Sequence, residues 1–299
     1  MYKSFLNKFS FLLESGIVDG VNFRMSGGEP LLEFDTWHPL MQDFTEKYKG
    51  VSSAIILTSL SVDISSIKYE ILKYKGISTS LDGLQFSKPY HSGKSSAGVV
   101  VSNIRALISE GYKKLSITTM LNDNNFSQIP ELARFIADMG VPWGIDIDHF
   151  FTTSEYIEGY KSAIRDSLDI LFDRGYDVYS KFRFGIMNLS SGNSGCSAGR
   201  SMFAIDTNGY VYPCQTSFGK KPLFHVNDNP ALWISYEYKK HTEYSTLDIE
   251  NINRCKNCPL IDICNGSCKL NRKNRNQDCS LYMNIITYLS TKLINYAKL

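Results

Sequence analysis

The chain has 299 residues, 43% of them hydrophobic and 21% charged, an ordinary balance for a globular protein with room for two domains. Its 32 lysines and arginines against 30 acidic residues leave a net charge of +2, too little to draw it toward nucleic acid or a membrane surface. No apolar run reaches membrane-spanning length and the N-terminus does not read as an export signal, so a reducing cytoplasm is the expected compartment.

Within the first twenty residues, Ser10 and Glu14 interrupt the apolar positions, while Phe5, Phe9, Leu12 and Leu13 stand at helical spacing; an amphipathic helix is predicted. Five β-rich runs follow: Val21–Met25, Ala54–Thr58, Gly76–Leu81, Lys114–Met120 and Gly144–Phe150. Between them, Trp37–Tyr48, Ile64–Tyr74, Gly98–Glu110 and Pro130–Met139 carry apolar residues at i, i+3, i+4. Gly50, Gly76, Gly111 and Gly140 stand where helix C-caps are expected. A βα unit repeated about every 30 residues implies a parallel sheet, open or closed into a barrel, with every strand's C-terminal end on one side.

The strands alternate. Ser78, Ser80 and Asp82 oppose Ile77, Thr79 and Leu81; Ser116 and Thr118 oppose Leu115 and Ile117; Asp146 and Asp148 oppose Ile145 and Ile147. A polar inner face suits a wide, wet lumen, with solvent-exposed strand ends as the plainer alternative. After the first run stands Met25-Ser26-Gly27-Gly28-Glu29-Pro30. Paired glycines let backbone approach a ligand closely, and Glu29 supplies an acceptor for an ammonium group. A simple strand-to-helix turn would use the same residues.

All seven cysteines lie in the last 104 residues: Cys196, Cys214, Cys255, Cys258, Cys264, Cys268 and Cys279. Disulfides would need an oxidising compartment, and an odd count leaves one thiol over. Zinc suits tetrahedral thiolate sites and favours CxxC; iron–sulfur clusters also take thiolates in fours. Spacing alone does not separate zinc from iron. Further on, Leu281, Ile285, Ile286, Leu289 and Leu293 repeat with helical period and predict a packing helix. His149, at a strand end, reads first as a capping or surface histidine; His38, His91, His225 and His241 lack a partner at ligand spacing. The run Lys269, Arg272, Lys273, Arg275 reads as a solvated loop offsetting nearby thiolates, with no aromatic residue between Lys269 and Asp278 for stacking on nucleic acid.

The segment Ser26-Gly27-Gly28-Glu29-Pro30-Leu31-Leu32 resembles the second-strand motif of radical S-adenosylmethionine enzymes, whose glycines and glutamate line the site for the methionine amino group. Leu57-Thr58-Ser59-Leu60 stands where that family's next strand ends, and Ser80-Leu81-Asp82-Gly83 resembles its fourth-strand motif, whose serine commonly faces the cofactor. The resemblance covers roughly residues 15–150 and implies a cofactor site at Gly27, Gly28, Glu29 and Ser80. The second half resembles the SPASM extension, a seven-cysteine module for auxiliary 4Fe–4S clusters. Cys196, Gly209-Tyr-Val-Tyr-Pro-Cys214, Cys255, Cys258, Cys264, Cys268 and Cys279 match all seven positions. Asp206-Thr-Asn208-Gly209 within it reads as a hairpin turn between Met202–Ile205 and Tyr210–Tyr212.

The resemblance implies a fold class and a division of the chain. Residues 1–185 are expected to form an α/β, partial (β/α) barrel of radical S-adenosylmethionine type lacking its first strand. Residues 186–299 are expected to form the cysteine-rich iron–sulfur SPASM domain with a C-terminal helix. It also implies two auxiliary 4Fe–4S clusters, one on Cys255, Cys258, Cys264 and Cys279, the other on Cys196, Cys214 and Cys268. Some relatives have a cysteine where Met202 stands here, so the second set has no obvious fourth thiolate.

One departure limits the resemblance. The family carries C-x3-C-x2-C after its first strand, and this chain has no cysteine before Cys196. The sequence as it stands is expected neither to build the catalytic cluster nor to bind S-adenosylmethionine more than weakly, and no catalytic residue is assigned. A truncated gene, a fragment lacking its head, or a degenerate member would each give this pattern. The implied role is maturation of a peptide or protein substrate, often a ribosomally made one, beside an enzyme such as an ATP-grasp ligase and without nucleic acid or membrane. The alternatives are a non-catalytic peptide-recognition or electron-transfer partner, and a zinc-binding interaction module.

Overall fold

The structure is a computed structural model describing residues 2–85, 96–147, 156–185, 187–188, 197–199, 201–229, 255–261 and 276–296. His91, Asp148, His149, Cys196, His241, Cys264, Cys268 and the run Lys269–Arg275 lie outside the described residues. Contacts divide the chain into two compact units that interleave in sequence. One comprises Met1–Phe23, Glu33–Ala54 and Ser194–Lys273; the other comprises Arg24–Leu32, Ile55–Asn193 and Asn274–Leu299.

A seven-stranded sheet has the order β1 (Val21–Met25), β2 (Ser52–Thr58), β3 (Gly76–Ser80), β4 (Leu115–Leu121), β5 (Trp143–Ile147), β6 (Phe182–Phe184), β7 (Met187–Asn188). Strands β2 to β6 pair in parallel and β7 returns antiparallel to β6. All five predicted strands are present. The predicted division of faces also holds. Ile77, Leu115, Ile117, Trp143 and Ile145 are at most 1% exposed, whereas Ser78, Ser116, Thr118 and Asp146 are half-buried and Ser80 is exposed. Burying each such large apolar side chain contributes roughly 1.5–3 kcal/mol, which fixes the register because a one-residue slip would put the whole set in water.

The connecting helices bury their apolar stripes. Ile104 and Leu107 of α4 (Ala97–Ser109) and Leu132, Ala133 and Ile136 of α5 (Ile129–Met139) are fully buried. Gly140 ends α5 at φ +64°, the left-handed cap that glycine tolerates best. The prediction of a helix over Ile64–Tyr74 is corrected to one turn, α3 (Lys68–Ile71). Asp63 accepts the Ser65 N–H at 2.9 Å and its hydroxyl at 2.6 Å, a local side-chain turn that competes with helix initiation. Gly76 is not a cap: it opens β3, paired with Ile55. The stretch after β5 forms α6 (Ile157–Asp173) and α7 (Val178–Lys181) before β6. The C-terminal helix, α8 (Asn276–Tyr296), packs on α6, where Tyr288 donates to both oxygens of Asp169 at 2.7 Å.

In the other unit, α1 (Tyr2–Glu14) and α2 (Phe34–Lys47) clasp Phe23. Ring centroids of Phe5, Phe9 and Phe44 lie 5.7, 5.2 and 5.3 Å from that of Phe23. A three-stranded antiparallel sheet, β8 (Ala204–Ile205), β9 (Tyr210–Tyr212) and β10 (Phe224–His225), packs Val211, Phe224 and Val226 against Leu12, with Phe5 and Phe9 alongside. The predicted hairpin turn is present: Asp206 accepts the N–H groups of Asn208 and Tyr210, both at 2.9 Å, and Gly209 takes φ +87°.

Candidate functional site

The ends of β1 and β2 meet through one carboxylate. Glu29 Oε1 accepts the Leu31 N–H at 3.1 Å and the Thr58 hydroxyl at 2.5 Å; Oε2 accepts the Ser59 N–H at 2.7 Å and the Ser59 hydroxyl. Four donors meet the roughly four lone-pair sites of an ionised carboxylate. In this arrangement the side chain clamps the loop that carries Gly27 and Gly28. Ahead of it, Gly27 adopts φ +135°, a conformation L side chains rarely take. No atom lies within 4 Å of where a Cβ would stand on Gly27 or Gly28, and both are exposed. The glycines offer open backbone, as an approaching cofactor requires.

The corner after β2 is held just as firmly. Leu60 has φ +50°, the one non-glycine residue with positive φ among those described, and is fully buried. Its N–H donates to Thr58 Oγ1 at 2.9 Å, and its carbonyl accepts from Asn103 Nδ2 at 2.9 Å, which also reaches the Val62 carbonyl at 2.8 Å. Such a backbone persists only where surrounding bonds over-determine it, and residues of this kind gather at functional sites.

At the end of β3, Ser80 is exposed and Asp82 is 9% exposed. Asp82 accepts the Met120 N–H at 2.8 Å, while Asn125 donates to the carbonyls of Asp82 and Met120 at 3.0 and 2.8 Å. These bonds tie the ends of β3 and β4 together. On the same polar face, Arg183 of β6 grips Asp146 of β5 through two bonds, 2.8 and 3.1 Å, a pair that the sequence motifs did not reveal.

Of the seven cysteines, four are described: Cys255 is buried, Cys214 and Cys258 half-buried, Cys279 exposed. Cys214 follows β9, its Sγ 3.4 Å from Ser217 Oγ. Cys255 and Cys258 share one turn, closed by the Cys258 N–H to the Cys255 carbonyl at 3.2 Å, so the structure brings these two together. Cys279 lies near the start of α8. Among the described residues no three His, Cys, Asp or Glu side chains form a group that could hold a metal. The donors that are described fit a thiolate-ligated metal or cluster: they are sulfur and include a tight CxxC turn.

Comparisons with known proteins agree with this chemistry. Residues 196–259 match the SPASM family model, described as an iron–sulfur cluster-binding domain. The chain is 22% identical to the radical SAM cyclopropyl synthase TigE of Paramaledivibacter caminithermalis, over 83% of this chain and 54% of that protein. It is 24% identical to the mycofactocin maturase MftC of Mycolicibacterium smegmatis, over 82% of this chain and 65% of that protein. The chain thus spans between about half and two thirds of the length of these curated relatives. Its fold matches Streptococcus suis SuiB: TM-score 0.61 with the form bound to S-adenosylmethionine, at 17% identity over 92% of this chain and 67% of that one. For the form bound to the precursor peptide SuiA the TM-score is 0.60, at 18% identity over 91% and 66%. The seven-cysteine pattern, the parallel βα sheet and these likenesses make the chain similar to radical S-adenosylmethionine/SPASM proteins, with the SPASM match itself confined to residues 196–259.

Proposed function

We propose that this chain serves in the maturation of a ribosomally made peptide, as an iron–sulfur protein that holds S-adenosylmethionine and the peptide on the polar face of its sheet. The observation that carries this is the complete seven-cysteine pattern, whose span overlaps the SPASM match at residues 196–259. The likeness to maturases, and to SuiB solved with its precursor peptide, supports a peptide substrate.

In this proposal Cys255, Cys258, Cys264 and Cys279 hold one 4Fe–4S cluster, and Cys196, Cys214 and Cys268 hold a second with an iron site open to another ligand. Gly27 and Gly28 present backbone to the methionine moiety, and Ser80 faces the cofactor from β3. Glu29 holds Gly27–Leu31 against Ser59, so the backbone groups are in place before the ligand arrives. When bound, S-adenosylmethionine supplies a radical oxidant, and the clusters supply or accept electrons. Turnover needs a C-x3-C-x2-C segment, which none of the residues before Cys196 provides. An ATP-grasp ligase is a fitting partner in such a pathway, and the cytoplasm the fitting compartment.

That shortage of cysteines also favours a second reading, a non-catalytic peptide-recognition or electron-transfer partner. One experiment separates the two. The reconstituted chain is incubated anaerobically with S-adenosylmethionine and strong reductant, alone and with a polypeptide carrying the three-cysteine segment. Weak cofactor binding without 5′-deoxyadenosine from the chain alone, and release of that product in the mixture, is the expected result. Binding without release in either case would leave the partner role standing and refute the catalytic one.

A further inference from the structure

We propose that Arg183 is a substrate-holding residue whose open guanidinium edge takes a backbone carbonyl of the peptide. This rests on the peptide-maturation reading above. Arginine has five N–H donors. One Nη1–H goes to Asp146 Oδ1 at 2.8 Å, the other to the Gly185 carbonyl, and one Nη2–H goes to Asp146 Oδ2 at 3.1 Å. The Nε–H and the second Nη2–H lie side by side on the remaining edge, and among the described residues neither has an acceptor. Two parallel donors on a planar group form a ready fork for a ligand oxygen.

The fork is built, not accidental. A Cβ on Gly144 would stand 2.6 Å from Nη2 and 3.0 Å from both Cζ and Nε, so a methyl there would push the guanidinium out of its place. Asp146 fixes its far edge, and both side chains are 33% exposed, reachable but partly desolvated. The register sets its place. Ser80 pairs with Thr118, Thr118 with Gly144, and Gly144 with Arg183. Strands lie about 4.8 Å apart, and the guanidinium reaches back over Gly144, so it stands ~10 Å along one rung from Ser80. A ligand held there sits beside a cofactor contacted by Ser80, where a substrate belongs.

Charge selects the ligand. Asp146 already balances Arg183, and Asp82 lies on the next rung, joined to Met120, the partner of Asp146. A second carboxylate would meet those acids; a peptide carbonyl uses both donors without that repulsion. Thr118 and Gly144 leave a low shelf over which an extended backbone can pass.

The test is the Arg183 Nε–H resonance in the full chain labelled with 15N-arginine, assigned with Arg183→Lys. The probes are N-acetyl-alanyl-alanine methylamide, sodium acetate at matched ionic strength, and S-adenosylhomocysteine. A saturable shift with the blocked peptide is expected, about tenfold weaker in Gly144→Ala, whose methyl displaces the guanidinium. If Gly144→Ala does not fold, Arg183→Lys serves, read at the Gly144 and Thr118 amides. A shift with acetate alone would make the fork an anion site, and one with S-adenosylhomocysteine alone would give it to the cofactor; either overturns the proposal, as does no shift. The titration needs neither cluster nor turnover. Failure here with clusters present refutes the fork alone, and loss of the clusters with the shift retained refutes the radical reading alone.

Discussion

Glu29 and Ser59 are joined by two hydrogen bonds to one carboxylate oxygen, the Ser59 N–H at 2.7 Å and its hydroxyl. The contact links the loop after β1 to the corner after β2 across 30 residues of sequence. Ser59→Ala and Glu29→Gln should each cost about 1–3 kcal/mol, since each leaves half-buried partners unmatched. In a double-mutant cycle the two losses should fail to add, with a coupling of roughly 0.5–3 kcal/mol in urea unfolding. Additive losses would mean that Glu29 acts elsewhere, for example on the ligand directly.

Asn103 is the brace for the left-handed corner at Leu60, bonding the carbonyls of Leu60 and Val62. Asn103→Ala should destabilise the chain by about 1–3 kcal/mol and speed amide exchange across residues 59–62. Slow exchange there in the variant would show that Thr58 and packing alone hold the corner.

The strand β1 ends the sheet in the described topology. Its Val21 N–H donates to the Val51 carbonyl at 2.8 Å, so odd-numbered amides face β2 and those of Asn22 and Arg24 face outward. Parallel edges are prone to recruit other strands. Hydrogen exchange should be slow at Val21 and Phe23 and fast at Asn22 and Arg24, with concentration-dependent association in size-exclusion chromatography. Protection of all five residues in a clean monomer would show that the outer edge is covered, with α1 the nearest candidate through its contacts with Phe23.

Burial raises the phenols of Tyr74, Tyr112 and Tyr176, that of Tyr112 from 10.0 to about 12. A phenol that stays protonated in the fold while the unfolded chain ionises stabilises the fold fully below pH 10, and that stability is lost as pH rises toward about 12. Urea midpoints should therefore fall over this window, less steeply in Tyr112→Phe. A flat profile would contradict the burial of these rings.

The βα repeat was legible because alternation and helical period recur over five strands with turn glycines between them. The stretch from α6 to β7 has the same helical period at Tyr160, Ile164, Leu168 and Leu171, but carries no residue motif that marks its place in the fold. The Ile64–Tyr74 prediction failed because Asp63 and Ser65 close a turn that period alone does not register. At the site, Gly27, Gly28 and Ser80 stood out by motif, yet the use made of Glu29 depended on Thr58 and Ser59, residues distant in sequence. Arg183 was invisible for the same reason: its meaning lies in Gly144 and Asp146 on the neighbouring strand.

Cluster ligation should be separable by mutation. Cys258→Ala should lose one cluster together with much of the soluble protein, because metal binding in a closed site is folding free energy. Cys196→Ala should spare that cluster and remove only the other. Equal loss of both in Cys196→Ala would contradict the partition.

The most direct measurement is iron and acid-labile sulfide per chain after anaerobic reconstitution, read with zinc on the same sample. Equal iron and sulfide amounting to two four-iron clusters, with visible thiolate-to-iron absorption and negligible zinc, is the predicted result. Stoichiometric zinc with no labile sulfide would contradict the account and turn the cysteine module into a structural zinc site.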